Sequence, residues 1–131
     1  MRPWLGICLV ALGGALGAVV RHACNEFFRS YLESKTGRIW PLSTLLVNVV
    51  GALAIGFLMA QFRREQISDA WRLLLVTGGL GGLTTFSAFS FETLMLANQT
   101  SLGAALTNIA LNVVLCLLAV WLGWWLGGGT P

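Results

Sequence analysis

The distribution of charged residues constrains this chain more than any other feature of its sequence. No Asp, Glu, Lys or Arg occurs in residues 3–20, 39–62, 73–91 or 93–131, which are stretches of 18, 24, 19 and 39 residues. A helix that crosses a hydrocarbon core of about 30 Å needs roughly 20 predominantly apolar residues. Each stretch can therefore hold one membrane-spanning helix, and four such helices use up the 131 residues.

The composition agrees with a membrane location and argues against several classes of protein. Hydrophobic residues make up 56% of the chain and charged residues only 10%, with a mean hydropathy of +0.79. Soluble domains carry about 25% charged residues, so this chain has too few to cover a surface in water. Four spans leave no room for a soluble catalytic domain, and we do not expect an enzyme. The basic residues behind the net charge of +3 never form a run, which argues against a nucleic-acid partner.

We predict an all-α membrane protein with four transmembrane helices. The single domain covers residues 1–131, and its spans lie at about 4–28, 42–62, 70–97 and 102–126. This assignment places Arg21 inside the first span, where its charge has to face protein or water.

The charges outside the spans are balanced between the two membrane faces. One face would carry the basic residues Arg2, Arg63, Arg64 and Arg72, and the other would carry Arg29, Lys35 and Arg38. A clear excess of Lys and Arg on the cytoplasmic side normally fixes the orientation of a membrane protein. Because this chain has almost no excess, we predict that it inserts in both orientations and forms an antiparallel homodimer with dual topology.

Glycines mark two kinds of position in the spans. Gly13 and Gly17 are four residues apart, as are Gly123 and Gly127, and this spacing predicts close contacts between helices. Four further glycines lie within residues 78–82 of the third span. Each costs about 1 kcal/mol relative to Ala inside a helix, so we predict that the third helix is broken at this Gly-rich segment. Freed carbonyls there would suit a small cation, and a tightly packed helix crossing is the alternative.

The third span also combines aromatic rings with hydroxyl groups. Phe86 and Phe89 are three residues apart and share a helix face, beside Ser87 and Ser90. Aromatic rings in a span are usually core residues, but positive ring edges and hydroxyl donors together could solvate a small anion.

Polar residues in the other spans extend this pattern. Asn48 lies in the apolar second span, while Asn108, Asn112 and Cys116 repeat every four residues in the fourth. Such residues either form hydrogen bonds between helices or line a path for water or an ion. Arg21 and Glu92 are the charges within or at the margins of spans, and we regard them as functional candidates.

Three segments resemble motifs of one known family. Residues 13–21, GGALGAVVR, are similar to a first-helix motif GGxxGAxxR, and residues 44–51, TLLVNVVG, are similar to TLxVNxxG. Residues 81–92, GGLTTFSAFSFE, are similar to GGLTTFSTFSxE, which is the longest and most specific match. On these motifs the chain resembles the Fluc (CrcB) family of fluoride channels from end to end.

This resemblance implies an architecture, a cofactor and a set of site residues. Family members pair two antiparallel subunits around two fluoride pores, with a structural sodium ion at the dimer centre. The backbone carbonyls of Gly81 and Thr84 match its ligands, and we expect that any Cβ at Gly81 would crowd the break. Arg21 and Glu92 match the vestibule charges. The residues assigned to the predicted fluoride pore are Asn48, Phe86, Ser87, Phe89, Ser90, Asn108 and Asn112.

The chain departs from the family pattern at a few positions. Ala88 replaces the usual Thr between the phenylalanines, and Ser43 replaces the Gly before Thr44. Asn108 and Asn112 stand where a Tyr and a Ser are common. The fourth-helix positions keep their polarity, so we still expect conduction.

The predicted function is passive, selective export of fluoride across a bacterial plasma (inner) membrane, which relieves fluoride toxicity. The expected partners are fluoride, a second subunit and membrane lipids. The alternative is a small multidrug exporter with dual topology, which needs a carboxylate in the middle of its first span. The first acidic residue here is Glu26, near the end of that span. A third possibility is an assembly protein without transport activity, for which buried Asn and Phe residues have no evident use.

Overall fold

The structure is a computed structural model that describes residues 2–36, 41–64 and 67–130. All regular secondary structure in these residues is helical. We number the helices α1 (Pro3–Thr36), α2 (Leu42–Arg63), α3 (residues 69–83), α4 (Phe86–Gln99) and α5 (Leu102–Leu126). Four helical segments, with α3 and α4 together forming one of them, are long and apolar enough to cross a membrane.

The helix bounds can be compared with the predicted spans. α2, the α3–α4 segment and α5 begin and end within about two residues of them, whereas α1 continues past Phe28 to Thr36. An ion pair between Glu26 and Arg29, with 2.8 Å between the carboxylate and the guanidinium, lies where this extension begins. Arg38 and the side chain of Lys35 lie outside the described residues, although both count in the comparison of the two membrane faces.

The helix interruption in the third span lies at Thr84 and Thr85. Both residues are extended, with φ and ψ of −77° and 152° at Thr84 and −151° and 122° at Thr85. The glycines before them are helical, with π-helical hydrogen bonding over Arg72–Leu80. Thr85 then caps α4, because its hydroxyl accepts a hydrogen bond of 3.2 Å from the N–H of Ala88. The residues that leave the helical conformation therefore come directly after the glycines and not among them.

Glycines bring two pairs of helices into close contact, as their spacing predicts. A Cβ on Gly13 would collide with the Leu74 carbonyl oxygen, so α1 lies directly against α3. A Cβ on Gly123 would collide with the Leu53 carbonyl oxygen, so α5 lies directly against α2. Both predicted glycine contacts are confirmed.

Gly81 behaves differently from these glycines. A Cβ there would find the Val76 carbonyl oxygen of the same helix as its nearest neighbour, at 3.8 Å. By contrast, a Cβ on Gly82 would lie 2.5 Å from the Gly14 carbonyl oxygen. The expectation that a Cβ at Gly81 crowds the break is wrong within one subunit, because Gly81 is on the exposed side of α3 and Gly82 faces α1.

Two closely packed pairs, α1 with α3 and α2 with α5, form most of the subunit, and α4 packs on α5. Large apolar side chains are widely exposed, while several of the most buried side chains are polar. Thr44 is 1% exposed and Asn108 is 2% exposed. This distribution fits a protein with a lipid-facing surface and a polar interior.

Candidate ion pathway

Asn48 of α2 pairs with the main chain of Thr85 at the helix interruption. Its amide oxygen accepts a hydrogen bond of 2.9 Å from the N–H of Thr85, and its amide nitrogen donates one of 3.2 Å to the carbonyl of the same residue. The backbone of Thr85 thus satisfies its polar groups through a side chain from a neighbouring helix. Such satisfaction is needed where irregular backbone lies at membrane depth.

The hydrogen bonds continue from Asn48 into α5. The Asn48 nitrogen also donates to the Asn112 amide oxygen at 3.2 Å. The Asn112 nitrogen donates to the amide oxygen of Asn108 at 3.2 Å and to its main-chain carbonyl at 3.1 Å. The Asn108 nitrogen donates to the Thr93 hydroxyl at 2.8 Å. We call these three asparagines and the Thr93 hydroxyl the asparagine network.

The interruption removes the helical donors of the main-chain carbonyls at the end of α3, those of Gly81 and Thr84 among them. In a continuous α-helix the Gly81 carbonyl would accept from the N–H of Thr85, but that N–H donates to Asn48. The Thr84 carbonyl would accept from the N–H of Ala88, which donates to the Thr85 hydroxyl instead. The two carbonyls that the family resemblance matches to cation ligands have therefore lost their helical donors.

The two phenylalanines are adjacent but differ in exposure. Their ring centroids are 5.3 Å apart and the rings are tilted by 58°. Phe89 is buried at 7% exposure, whereas Phe86 is 78% exposed on the subunit surface. One ring therefore belongs to the core of the subunit and the other is left for a lipid or a second subunit.

The two serines beside these rings make different hydrogen bonds. The Ser90 hydroxyl donates to the Phe86 carbonyl of its own helix at 2.8 Å. The Ser87 hydroxyl lies 3.2 Å from the Thr85 hydroxyl. The Ser90 proton is thus used within α4, while the Ser87 hydroxyl joins the residues at the helix interruption.

An open cavity of about 640 Å³ gathers most of the predicted site. Its wall is mainly apolar, and six of the predicted residues line it: Asn48, Gly81, Thr84, Phe86, Phe89 and Asn112. Cys116, the third member of the polar repeat on α5, also lines it. Three other predicted residues do not belong to the cavity wall: Ser87 and Ser90 on α4 and Asn108 on α5.

The two predicted vestibule charges are separate in the subunit. A carboxylate oxygen of Glu92 accepts a hydrogen bond of 2.6 Å from the buried Thr44 hydroxyl. Its other oxygen is buried and has no hydrogen-bond partner among the described residues. Arg21 is half-buried on α1, and no hydrogen bond or ion pair joins it to another described residue.

Two residues of this site were not among the candidates from the sequence. Thr85 orients Asn48 and caps α4, and a Thr directly before a helical segment is a recognisable capping signal. Thr93 joins the asparagine network to the Phe89 carbonyl, to which its hydroxyl donates at 2.7 Å. A Thr within a span gives no local signal for a partner such as Asn108 on another helix.

Comparison with known proteins identifies the family. Residues 8–124 match the profile of the family described as CrcB-like protein, Camphor Resistance (CrcB). A "Fluoride-specific ion channel FluC" of Shewanella loihica is 44% identical over 117 residues, which are 89% of this chain and 91% of the relative. A protein of the same name from Magnetococcus marinus is 43% identical over 118 residues, which are 89% of this chain and 93% of the relative. Another from Campylobacter fetus subsp. fetus is 41% identical over 120 residues, which are 92% of this chain and 91% of the relative. This chain belongs to the CrcB-like family.

Proposed function

We propose that this protein is a fluoride-selective ion channel, and not an enzyme, that lets fluoride leave the cell passively. The observation that carries the proposal is the meeting of Phe86, Phe89 and the asparagine network at one cavity, in a chain whose curated relatives are named fluoride-specific ion channels. Export of fluoride would relieve its toxicity. A bacterial plasma (inner) membrane is the location that fits this role.

Fluoride is small and strongly hydrated, so a pore has to replace the hydrogen bonds that water gives it. Ring edges of Phe86 and Phe89 offer weak positive potential, and the Ser87 hydroxyl and Asn amides offer donors. Most amide hydrogens in the network already bond to oxygen atoms within it. An anion would therefore bind by exchange with an internal hydrogen bond, which keeps each site weak enough for onward movement.

The functional unit in this proposal is an antiparallel homodimer embedded in lipid. Support comes from the balanced basic residues on the two faces and from the exposed Phe86 ring beside an open cavity. A second copy would cover this cavity and complete two pores. Terminal tags accessible from only one side of intact cells would contradict dual topology.

A structural sodium ion at the dimer centre would bind the carbonyl oxygens of Gly81 and Thr84. The displaced helical donors of both carbonyls support this assignment, as does their position at the negative end of α3. Two subunits would supply four oxygen ligands, the type that hard cations prefer.

The multidrug exporter is the weaker alternative. It requires a carboxylate embedded in the first span, whereas Glu26 is exposed and paired with Arg29. No residue on α1 before Glu26 meets this requirement, because residues 3–25 contain no carboxylate.

Efflux from liposomes that contain only the purified protein tests the proposed function. We expect rapid fluoride efflux and little chloride efflux under the same gradient. A Phe86→Ile variant that remains dimeric should lose most fluoride flux, while Phe27→Ile, an exposed ring far along α1, should retain it. Equal fluoride and chloride efflux from the unmodified protein would contradict the proposal.

A further inference from the structure

One series of hydrogen bonds runs through the asparagine network in a single donor direction. The N–H of Thr85 donates to Asn48, the Asn48 amide donates to Asn112, and the Asn112 amide donates to Asn108. The series then passes from Asn108 to the Thr93 hydroxyl and ends when that hydroxyl donates to the carbonyl of Phe89. Every donor of this series thus points away from the Thr85 N–H and toward Thr93 on α4, and the second Asn48 hydrogen bond, to the Thr85 carbonyl, lies outside the series.

Main-chain groups at both ends fix this direction. A backbone N–H can only donate and a backbone carbonyl can only accept, so a flipped Asn48 amide would set two donors against each other at Thr85. At the other end the Phe89 carbonyl takes the Thr93 proton, which leaves the Thr93 oxygen free to accept from Asn108. Each amide of the series therefore donates to the next, and the last one, Asn108, presents its nitrogen to Thr93 on α4.

The network leaves one amide hydrogen without an acceptor among the described residues. Both hydrogens of Asn48 are used, by Thr85 and Asn112, and both of Asn112 are used by Asn108. The Asn108 nitrogen has one bond, to Thr93, and one hydrogen left over. Because Asn108 is buried, only a correctly turned amide can offer this hydrogen to an anion.

We propose that Thr93 is a positioning residue for anion conduction, which holds the Asn108 amide with its nitrogen, and not its oxygen, toward α4. Without the hydroxyl, the buried Asn108 nitrogen loses its acceptor, and only the hydrogen bond from Asn112 still opposes a turn of the amide. In the turned amide the carbonyl oxygen would face α4 and repel an anion. This inference rests on the proposed fluoride channel for its functional consequence but not for its geometry.

Thr93→Val tests the proposal because Val keeps the shape of Thr and removes the hydroxyl. We expect fluoride flux per dimer to fall about tenfold, and Thr93→Ser, which restores a hydroxyl, to recover most of it. Thr107→Val is the matched control, since the Thr107 hydroxyl donates to the Gly103 carbonyl on α5 in the same local way but accepts nothing from an asparagine. Flux through Thr93→Val equal to flux through Thr107→Val overturns the proposal.

A second comparison separates positioning from a general structural role. In an Asn108→Leu background, Thr93→Val should reduce flux no further, because Thr93 acts through Asn108. Side-chain NMR of protein labelled with ¹⁵N-asparagine, of which the chain has five, should show Thr93→Val moving the Asn108, Asn112 and Asn48 resonances while those of Asn25 and Asn98 stay in place. Additive flux losses, or unmoved network resonances, overturn the proposal. If the unmodified protein carries no fluoride, the proposed function fails while the NMR comparison still decides the role of Thr93.

Discussion

The glycine contact between α1 and α3 and the asparagine network that joins α2, α4 and α5 connect helices in opposite ways. The first depends on the absence of side chains at the glycines, because a Cβ at Gly13 or Gly17 would meet a main-chain oxygen of α3. The second depends on polar atoms that pair, from Asn48 through Asn112 to Asn108. The glycine contact should therefore be sensitive to volume, and the asparagine network to the pattern of donors and acceptors.

The largest effect should come from adding one carbon to the glycine contact. In Gly13→Ala the Cβ collides with the Leu74 carbonyl and lies 2.9 Å from the Gly79 nitrogen, so the backbone has to move. We expect a loss of about 2–3 kcal/mol of stability, as for other overpacked sites. The melting temperature and the yield of monodisperse protein measure it.

Gly14→Ala is the control for this change, since its Cβ would find its nearest neighbour, the Gly78 carbonyl oxygen, at 3.9 Å. It adds the same carbon to the same helix one residue later. Equal melting temperatures for Gly13→Ala and Gly14→Ala would show that this contact is not limited by volume.

The next largest effect should come from a change of chemistry without a change of shape. In Asn48→Asp the carboxylate still accepts from the Thr85 N–H but cannot donate to the Thr85 carbonyl or to Asn112. Each lost hydrogen bond costs about 1 kcal/mol, and a conduction barrier that is higher by about 2 kcal/mol slows fluoride flux roughly 30-fold. The new negative charge also repels an anion, which adds to this loss. We expect at least this loss in fluoride flux from liposomes.

Asn98→Asp, at the exposed end of α4, provides the same substitution outside the network and should conduct normally. The Asn48→Asp protein should still purify in the same oligomeric state as this control. Unchanged fluoride flux through Asn48→Asp would remove Asn48 from the ion pathway.

Features that depend on local sequence were predictable, and features that depend on packing between helices were not. Charge-free stretches marked the helical segments, and the glycine spacing gave the close contacts of Gly13 and Gly123. Asn48 and Asn112 were recognisable because an amide is expensive in an apolar span. The partner of Asn48, Thr85, is 37 residues away in sequence, and the partner of Asn108, Thr93, is 15 residues away. Only the packing of the helices brings these residues together.

Gly81 illustrates the same limit in the opposite direction. The sequence shows four glycines within five residues but not which helix face each one occupies. The π-helical turns over Arg72–Leu80 change the number of residues per turn, so faces cannot be counted with the usual 3.6-residue period. The expectation of crowding applies to Gly82, which faces α1, and not to Gly81 within one subunit.

This difference between neighbouring glycines gives a smaller effect to measure. We expect Gly82→Ala to lower stability by about 1–3 kcal/mol, because its Cβ meets the Gly14 backbone. Gly81→Ala should leave the stability of the subunit nearly unchanged and should alter only the dimer. The dimer fraction in detergent, with sodium present or replaced by a large organic cation, measures the second effect. If Gly81→Ala lowers subunit stability as much as Gly82→Ala, the assignment of the two helix faces is wrong.

The smallest effects should separate the two serines beside the phenylalanines. Thr85 accepts from the Ala88 N–H, so its own hydroxyl proton can be donated to Ser87, and the Ser87 proton then stays available to an anion. The Ser90 proton is held by the Phe86 carbonyl of the same helix. We expect Ser87→Ala to slow fluoride flux by roughly threefold, equivalent to less than 1 kcal/mol, and Ser90→Ala to slow it by less than about twofold. Paired efflux measurements at one protein density resolve this difference, and a larger loss for Ser90→Ala would place the ion path on the Ser90 side of α4.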